Sequence, residues 1–186
     1  DGKFAVLLVD ADAVTRRPVS LMDSRDYANV VFADVGVARE NVLVEGDGAE
    51  ALVRTLVDVG TIMTACELYG LAQQSFELTI QYLKEREQFG QVIGSFQALQ
   101  HRAAQAFAQL QLLRSVVLDA LDAAEKMRPD LAIAASHAKT LANDTAQLIS
   151  NESIQMHGGI GLTDELDIGL YFKRIRTLRN AYGLSS

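Results

Sequence analysis

Residues 151–165 read Asn-Glu-Ser-Ile-Gln-Met-His-Gly-Gly-Ile-Gly-Leu-Thr-Asp-Glu, and this stretch decides the interpretation of the chain. A polar helix end is predicted to run into Gly158, Gly159 and Gly161, since glycine adopts left-handed backbone angles and lets another group approach closely. Thr163 is predicted to cap a following helix, whose first N–H groups and dipole favour an anion. The turn therefore suits a phosphate, although taken alone the pattern more often means a simple turn between two helices. A helix precedes the glycines, which excludes the strand-led dinucleotide-binding fingerprint.

A second segment, residues 86–97, reads Arg-Glu-Gln-Phe-Gly-Gln-Val-Ile-Gly-Ser-Phe-Gln and is followed by Leu99, Gln100 and His101. Arg86 and Gln88 stand at a predicted helix end, beside Phe89 and a glycine that stops the helix. One interpretation makes Arg86 a solvated cation at a helix C-terminus, with Phe89 in the core. The other makes Arg86 a guanidinium that binds a diphosphate through paired N–H groups. Without further information the first interpretation is favoured.

The two segments together are similar to two signatures of the acyl-CoA dehydrogenase family. The matching patterns are R-x-Q-F-G-x-x-I-x-x-F-Q-x-x-Q-H and Q-x-H-G-G-x-G-x-T-x-E, in the order and at about the separation that the family has. The resemblance spans nearly the whole chain and is strongest at residues 83–100 and 155–176. It favours the second interpretation of Arg86.

The resemblance implies FAD as cofactor. In the family, the positions of Arg86, Gln88 and Phe89 meet the diphosphate and adenosine half of FAD, and the glycine turn contacts the same half. These contacts reach the flavin of a neighbouring subunit across the bundle interface. The cofactor-binding residues expected from the resemblance are Arg86, Gln88, Phe89, Gln97, Gln155, Gly158 and Gly159. Gln97, Gln100 and His101 are the weaker candidates, because bundle helices commonly carry polar faces.

The resemblance also implies which catalytic group is missing. Most members use a Glu before Gly-Thr, after the fourth helix, to remove the α-proton of an acyl-CoA thioester while hydride passes to flavin. That position falls on Tyr182, which does not replace a carboxylate at neutral pH. A minority of members place the Glu early in the first bundle helix, at the position of Gly60. Asp58 is a nearby acid, but two residues along a helix its side chain points elsewhere. No catalytic residue is therefore assigned.

The pattern of apolar residues predicts a mainly α fold, an antiparallel four-helix bundle preceded by part of a β-domain. Strand-type runs lie at residues 4–9, 17–19 and 29–32, and a loop is predicted at 45–48. So few strands do not make an independent sheet. We therefore expect residues 1–48 to be the C-terminal part of the family's middle β-domain and residues 49–186 to be the C-terminal bundle. The predicted helices run from Ala49 to the glycines at 90 and 94, from Phe96 to Ala124, from Pro129 or Asp130 to Glu152 and over 164–180.

Composition narrows the classes of partner. The net charge of −7 argues against nucleic acid and anionic membranes. Cys66 is the single cysteine, so no disulfide forms within the chain, and a buried inert thiol in a reducing compartment is expected. The three histidines lack the spacing of a zinc site, and no apolar run is long enough to cross a bilayer. We expect no metal, no membrane insertion and a bacterial-type cytoplasmic location.

The leading hypothesis is an acyl-CoA dehydrogenase flavoprotein in which this chain is a subunit, inactive alone, that completes a partner's flavin site. Phe172-Lys173-Arg174 departs from the Tyr-Arg-Asp of common members, and the surrounding sequence is similar to small subunits of bacterial two-subunit enzymes, including pimeloyl-CoA and steroid side-chain types. The resemblance implies an acyl-CoA substrate, a homo- or hetero-oligomer formed through the bundle, and an electron-transfer flavoprotein as acceptor. A non-catalytic oligomerisation module is the alternative, and oxidase-like activity on the same scaffold is a further one. Much of the family's site has no counterpart here, so we expect a fragment, a truncation or part of a longer chain.

Overall fold

The structure is a computed structural model that describes residues 4–183. The chain divides between Val57 and Asp58 into two compact units, and this division falls inside the first long helix. The predicted assignment of residues 1–48 to a β-domain and 49–186 to the bundle stays a prediction.

The first unit contains two separate antiparallel pairs of strands. Strand β1 (Ala5–Leu7) pairs with β4 (Val42–Glu45), and β2 (Thr15–Ser20) pairs with β3 (Asp26–Val31). Three of these strands lie in the predicted runs, whereas β4 was missed because it directly precedes the predicted loop. Pairs of strands are marginally stable alone, and large apolar side chains remain exposed in or beside them. The most exposed ones among residues 4–45 are Phe4, Leu8, Phe32 and Leu43.

Four long helices make up the rest of the chain, as the apolar pattern predicts. They are α1 (Asp47–Glu85), α2 (Gln97–Glu125), α3 (Leu131–His157) and α4 (Ile168–Asn180). The core of the second unit combines large side chains with many alanines, which let the helices approach closely. Its fully buried large members are Ile62, Leu68, Leu113, Ile149 and Ile175.

Two ion pairs connect neighbouring helices at partly buried positions. The Arg174 guanidinium on α4 donates to the Glu67 carboxylate on α1 at 2.7 and 3.0 Å. The Arg102 guanidinium on α2 donates to Glu152 on α3 at 2.5 and 3.0 Å. Bidentate geometry of this kind fixes the relative positions of the helices it joins. Cys66 is half-buried rather than buried, and burial raises the pKa of its thiol, which keeps it a poor nucleophile.

The first helix ends earlier than predicted, at Glu85 rather than at the glycines. Glu87–Gln88 (β5) and Gln91–Val92 (β6) pair instead as a short antiparallel hairpin. Its two turn residues, Phe89 and Gly90, have φ values of 56° and 77°, the pair of positive angles that a type I′ hairpin turn requires. A hairpin so short carries no alternation of apolar and polar residues long enough to read from sequence.

The fourth helix starts later than predicted, at Ile168 rather than near 164, and Thr163 does not cap it. Gly158–Leu162 continues α3 as a 3-10 helix. The Thr163 hydroxyl donates to the Ile160 carbonyl at 2.8 Å and accepts from the Glu165 N–H at 3.4 Å, so it closes a turn. The predicted cap was wrong because a threonine hydroxyl satisfies nearby backbone groups in turns as readily as at helix ends.

Candidate functional site

The two signature segments lie at the same end of the bundle. Tyr82, in the last turn of α1, stacks on His157, the last residue of α3, with ring centroids 4.4 Å apart. The Tyr82 hydroxyl also donates to the His157 carbonyl at 3.3 Å. Arg86 follows Tyr82 by one turn, and its N–H donates to the Tyr82 carbonyl at 2.9 Å. Gly158 directly follows His157, so the structure brings the hairpin and the glycine turn to one end of the helices.

The three glycines of the turn differ in why the structure has glycine at each position. Gly158 has a φ of 65°, which L side chains rarely adopt, and its N–H donates to the Gln155 carbonyl. A β-carbon at Gly161 would lie 2.9 Å from the Ile154 carbonyl oxygen, so the fold itself requires glycine there. A β-carbon at Gly159 would meet nothing within 4 Å. Gly158 and Gly159 therefore present open, exposed backbone, and Gly161 serves packing.

His157 is buried at the base of this turn. Its Nδ1 lies 2.7 Å from the Ser153 carbonyl oxygen. A carbonyl only accepts hydrogen bonds, so Nδ1 must carry a proton and donate it. This bond and the stack on Tyr82 fix the ring, and with it the point where the glycines begin. The sequence analysis placed His157 within the motif and gave it no role. A single histidine in a sequence does not indicate which residues surround it in the fold.

The hairpin exposes both a cation and an aromatic ring. The Arg86 side chain is exposed and has no hydrogen bond or ion pair to any residue from 4 to 183. Phe89 is 92% exposed, and its ring meets Phe96 edge-on at 6.2 Å. The interpretation that placed Phe89 in the core was therefore wrong, because a two-residue turn leaves no backbone path by which its side chain can turn inward. A large apolar ring in solvent on a non-glycine residue with positive φ is unusual.

The remaining cofactor candidates lie near the same segments with different surroundings. Gln88 donates from Nε2 to the carbonyl of its neighbour Glu87 at 2.7 Å. Gln100 donates from Nε2 to the Gly94 carbonyl at 2.9 Å, a bond that ties α2 to the loop before it and gives Gln100 a structural role. Gln97, at the start of α2, His101 and Gln155 are exposed. Among residues 4–183, none of these three side chains has a hydrogen bond that fixes it.

Carboxylates surround the cleft beside His157. The cleft has a volume of about 320 Å³ and lies between the end of α1 and the start of α4. Its lining includes Glu85, Glu165 and Asp167. Three carboxylates disfavour a phosphate there by repulsion. An anion is better accommodated at Arg86 and the open glycine backbone than in the cleft itself.

Gly60 and Tyr182, the two residues that the resemblance predicts to stand at the family's base positions, meet in this structure. A β-carbon at Gly60 would lie 2.6 Å from the Tyr182 hydroxyl oxygen and 2.6 and 2.9 Å from two carbons of its ring. Tyr182 thus packs directly on the α1 backbone at Gly60 and occupies the space that a side chain there would enter. Tyr182 itself is 56% exposed and has a φ of 56°. Neither position carries a carboxylate, and Asp58 leaves α1 two residues away, in another direction.

Lys139 is a functional candidate that sequence reasoning missed. It is 4% exposed on α3 and donates from Nζ to the Asn143 side-chain oxygen, the Arg179 carbonyl and the Gly183 carbonyl at 2.9, 3.1 and 3.0 Å. Burial, together with the Arg179 charge, lowers the pKa of Lys139 to about 8. A signal was available, since Lys139 and Asn143 stand among alanines on the stripe that faces the core.

No group of three or more His, Cys, Asp or Glu side chains within residues 4–183 is arranged to hold a metal ion. Over the same part of the chain, every helix falls short of the length or the apolar character that crossing a membrane needs.

Residues 46–185 match the family model described as acyl-CoA dehydrogenase, C-terminal domain. The chain is 40% identical over 119 residues to acyl-CoA dehydrogenase IpdE2 of Mycobacterium tuberculosis, an alignment that covers 64% of this chain and 36% of that protein. It is 33% identical to the probable acyl-CoA dehydrogenase YngJ of Bacillus subtilis, over 100% of this chain and 50% of the relative.

Solved structures show the same fold. The structure described as the Tcur3481-Tcur3483 steroid ACAD G363A variant superposes with a TM-score of 0.86 at 28% identity, over 97% of this chain and 48% of that one. The chain therefore spans half or less of the length of these matches.

Proposed function

This chain belongs to the acyl-CoA dehydrogenase family, and on that basis we propose that it forms part of an FAD-dependent enzyme that introduces an α,β double bond into an acyl-CoA thioester. Its part is to bind the diphosphate and adenosine half of a flavin at the end of the bundle. It supplies no α-proton base and completes the flavin site of a partner subunit. Family members are FAD-dependent.

The proposal of flavin binding rests on one observation: Arg86 and the glycine turn lie at the same end of the bundle. Arg86 has an exposed guanidinium without a partner among residues 4–183, and Gly158 and Gly159 offer backbone that no side chain covers. Guanidinium groups bind diphosphates through paired N–H donors. The donor set and the open backbone therefore fit the diphosphate half of FAD.

The residues of this chain act on binding rather than on the reacting bond. When bound, FAD supplies the hydride acceptor for the oxidation. Arg86 would neutralise the diphosphate, and Gln88 and Gln155 would donate to or accept from polar atoms of the same half. The exposed Phe89 ring would gain a partner in the adenosine portion, which explains why an apolar ring stands in solvent at a strained turn.

The packing of Tyr182 on Gly60 supports the absence of a base. A glutamate at residue 60 would collide with the Tyr182 ring, and residue 182 carries a phenol rather than a carboxylate. The α-proton would then leave to a carboxylate of another subunit. This accords with assembly into a hetero-oligomer, and the similar structure whose name joins two gene products agrees with such an assembly.

We further propose an acyl-CoA as substrate, an electron-transfer flavoprotein as electron acceptor and a bacterial cytoplasmic location. The three carboxylates beside His157 favour one alternative, a bundle that assembles without flavin, because they weaken anion binding nearby.

Flavin content separates the two functions. In the assembled complex, Arg86→Ala is expected to weaken FAD retention by about 1.5–3 kcal/mol, the contribution of a hydrogen bond to a charged group. Arg86→Lys restores only part of it, because the fork of donors is lost. Arg114→Ala, which removes another exposed arginine from the middle of α2, is the matched control. Flavin absorbance per complex after gel filtration is the measurement, and equal flavin in the two alanine variants would remove Arg86 from the site.

The absence of a base is tested by flavin bleaching. The full-length subunit, loaded with FAD and mixed with a panel of acyl-CoAs, is expected not to bleach until its partner is added. Asp58 is the acid of α1 that stands nearest Gly60 in the sequence and is the residue to check. Rapid bleaching by the subunit alone that Asp58→Asn abolishes and Tyr182→Phe preserves would contradict the proposal and identify Asp58 as the base.

A further inference from the structure

Lys139 donates three hydrogen bonds from its ammonium group to other residues of the chain. Its Nζ donates to the Asn143 side chain on its own helix, to the Arg179 carbonyl at the end of α4 and to the Gly183 carbonyl beyond it. None of these three partners is a carboxylate. A buried lysine without an ion pair is costly, because desolvation disfavours its charged form. The role of Lys139 is therefore not charge neutralisation. Its bonds to the two backbone carbonyls indicate that it fixes the backbone there.

The segment that Lys139 holds is the turn that follows α4. Helix α4 ends at Asn180, and the backbone then turns through two residues with positive φ, Tyr182 at 56° and Gly183 at 108°. A tyrosine with positive φ costs energy unless surrounding contacts enforce it. The Ala181 N–H donates back to the Leu178 carbonyl at 3.1 Å, which closes α4 but leaves the next two residues free of that bond. The bond from Lys139 to Gly183 lies on the far side of Tyr182.

The two Lys139 carbonyl contacts therefore bracket Tyr182. One is three residues before it, and the other is one residue after it. The Tyr182 ring lies against the Gly60 backbone, where a β-carbon would be 2.6 Å from its hydroxyl oxygen. Fixing the backbone on both sides of a residue restricts where its side chain can go.

Some buried polar groups near Lys139 lack hydrogen-bond partners among residues 4–183. The three bonds that Lys139 makes therefore matter more for the stability of this region. The Asn143 Nδ2 and Arg179 Nε groups are buried, and neither has a hydrogen-bond partner among residues 4–183. Arg179 adds a second positive charge near Lys139. Without the Lys139 donors, the buried Asn143 oxygen would also lose its partner, which is unfavourable. The two partly buried backbone carbonyls would lose theirs as well.

We propose that Lys139 is a positioning residue that holds the turn at residues 180–183, so that the Tyr182 ring stays packed on Gly60. The ring then keeps α1 and the C-terminal turn in contact at Gly60. The inference rests on the proposed function only for the identification of residues 60 and 182 as the family's base positions. The contact itself requires neither flavin nor acyl-CoA.

Fluorine NMR tests this directly. The chain has five tyrosines and can be labelled with 3-fluorotyrosine. The resonance of Tyr182 is the one absent from Tyr182→Phe. Gly60→Ala, whose β-carbon pushes the ring away, gives the reference position for a displaced ring. Lys139→Met is expected to move the Tyr182 resonance toward that position and to leave the other four in place. Lys84→Met, an exposed lysine on α1, is the matched control and is expected to change none of them.

Two results would overturn the inference. One is an unmoved Tyr182 resonance in folded Lys139→Met, and the other is a similar shift of all five resonances, which would mean general loosening of the core. If Lys139→Met does not fold, Gly183→Ala decides the question by the same resonance. An alanine is strained at a φ of 108°, so the accepting carbonyl is moved while the core is untouched. Because no flavin is present, the result is independent of the outcome for Arg86.

Discussion

Two regions along the first bundle helix differ in how open their surfaces are. At the hairpin end, Arg86, Phe89, Gly158 and Gly159 are exposed and their surfaces are open. Around Gly60, about 33 Å back along α1 from Tyr82 by helical rise, the contacts are filled and a buried lysine fixes them. The first region holds the residues that we propose to bind the cofactor. In the second, a glycine and a tyrosine pack together.

The difference teaches that an open and a filled surface coexist along one helix. The open end depends on backbone that no side chain covers. At Gly60, the absence of a side chain lets the Tyr182 ring pack directly on the α1 backbone, and a larger side chain at residue 60 would have to displace that ring.

Alanine substitutions at two glycines of the turn are expected to change the free energy of unfolding by different amounts. Gly161→Ala is expected to lower the free energy of unfolding by about 1–3 kcal/mol, because its β-carbon would lie 2.9 Å from a backbone oxygen that cannot move aside cheaply. Gly159→Ala meets nothing within 4 Å and is expected to change stability by less than about 0.5 kcal/mol. Urea unfolding of both variants is the measurement. Equal losses would contradict the division of roles between these glycines.

The same pair sharpens the flavin assignment. Gly159→Ala adds a methyl group to open backbone and is expected to reduce flavin content despite its unchanged stability. A stable Gly159→Ala complex with full flavin would show that this backbone does not approach the cofactor.

The Lys139 region gives an effect on stability that depends on pH. The pKa of Lys139 is about 8 in the folded chain and 10.5 for an ordinary lysine, so between these values the unfolded chain binds more protons. Stability must then rise with pH across this window, because deprotonation relieves a buried charge. The rise attributable to Lys139 is expected to be roughly 1–3 kcal/mol.

The measurement for this prediction is the free energy of unfolding of wild type minus that of Lys139→Met, followed across the alkaline window. Subtraction removes the pH dependence that the two proteins have in common. A difference that stays flat or falls with rising pH would contradict the lowered pKa.

Much of the fold could be predicted from the sequence because long helices repeat their apolar pattern many times. The stripe through Leu110, Leu113 and Val117 is one such repeat, and all three residues are buried. Short elements could not be predicted in this way. The hairpin at residues 87–92 and the strand at Val42–Glu45 contain too few residues for a period to be visible. Thr163 was misassigned because its hydroxyl bonds are set by turn geometry.

The candidate site divides along the same line. Motif spacing in the sequence identified Arg86, Gln155 and the glycines, although their roles toward FAD stay predictions. The sequence could not indicate that Phe89 is exposed or that Gln100 is tied to the Gly94 carbonyl. Both follow from the backbone path of the hairpin and the loop after it.

The sequence by itself indicated a helical bundle of the acyl-CoA dehydrogenase type, through its apolar periodicity and its motifs. That Tyr182 and Gly60 stand at the family's two base positions stays a prediction from the resemblance. Periodicity and motifs are local features of the chain. Only the tertiary structure decided that these two residues touch, and that Lys139 reaches the carbonyls on either side of Tyr182. Residues far apart in the chain meet through helix packing. The bonds of a buried lysine depend on which backbone carbonyls that packing leaves unpaired.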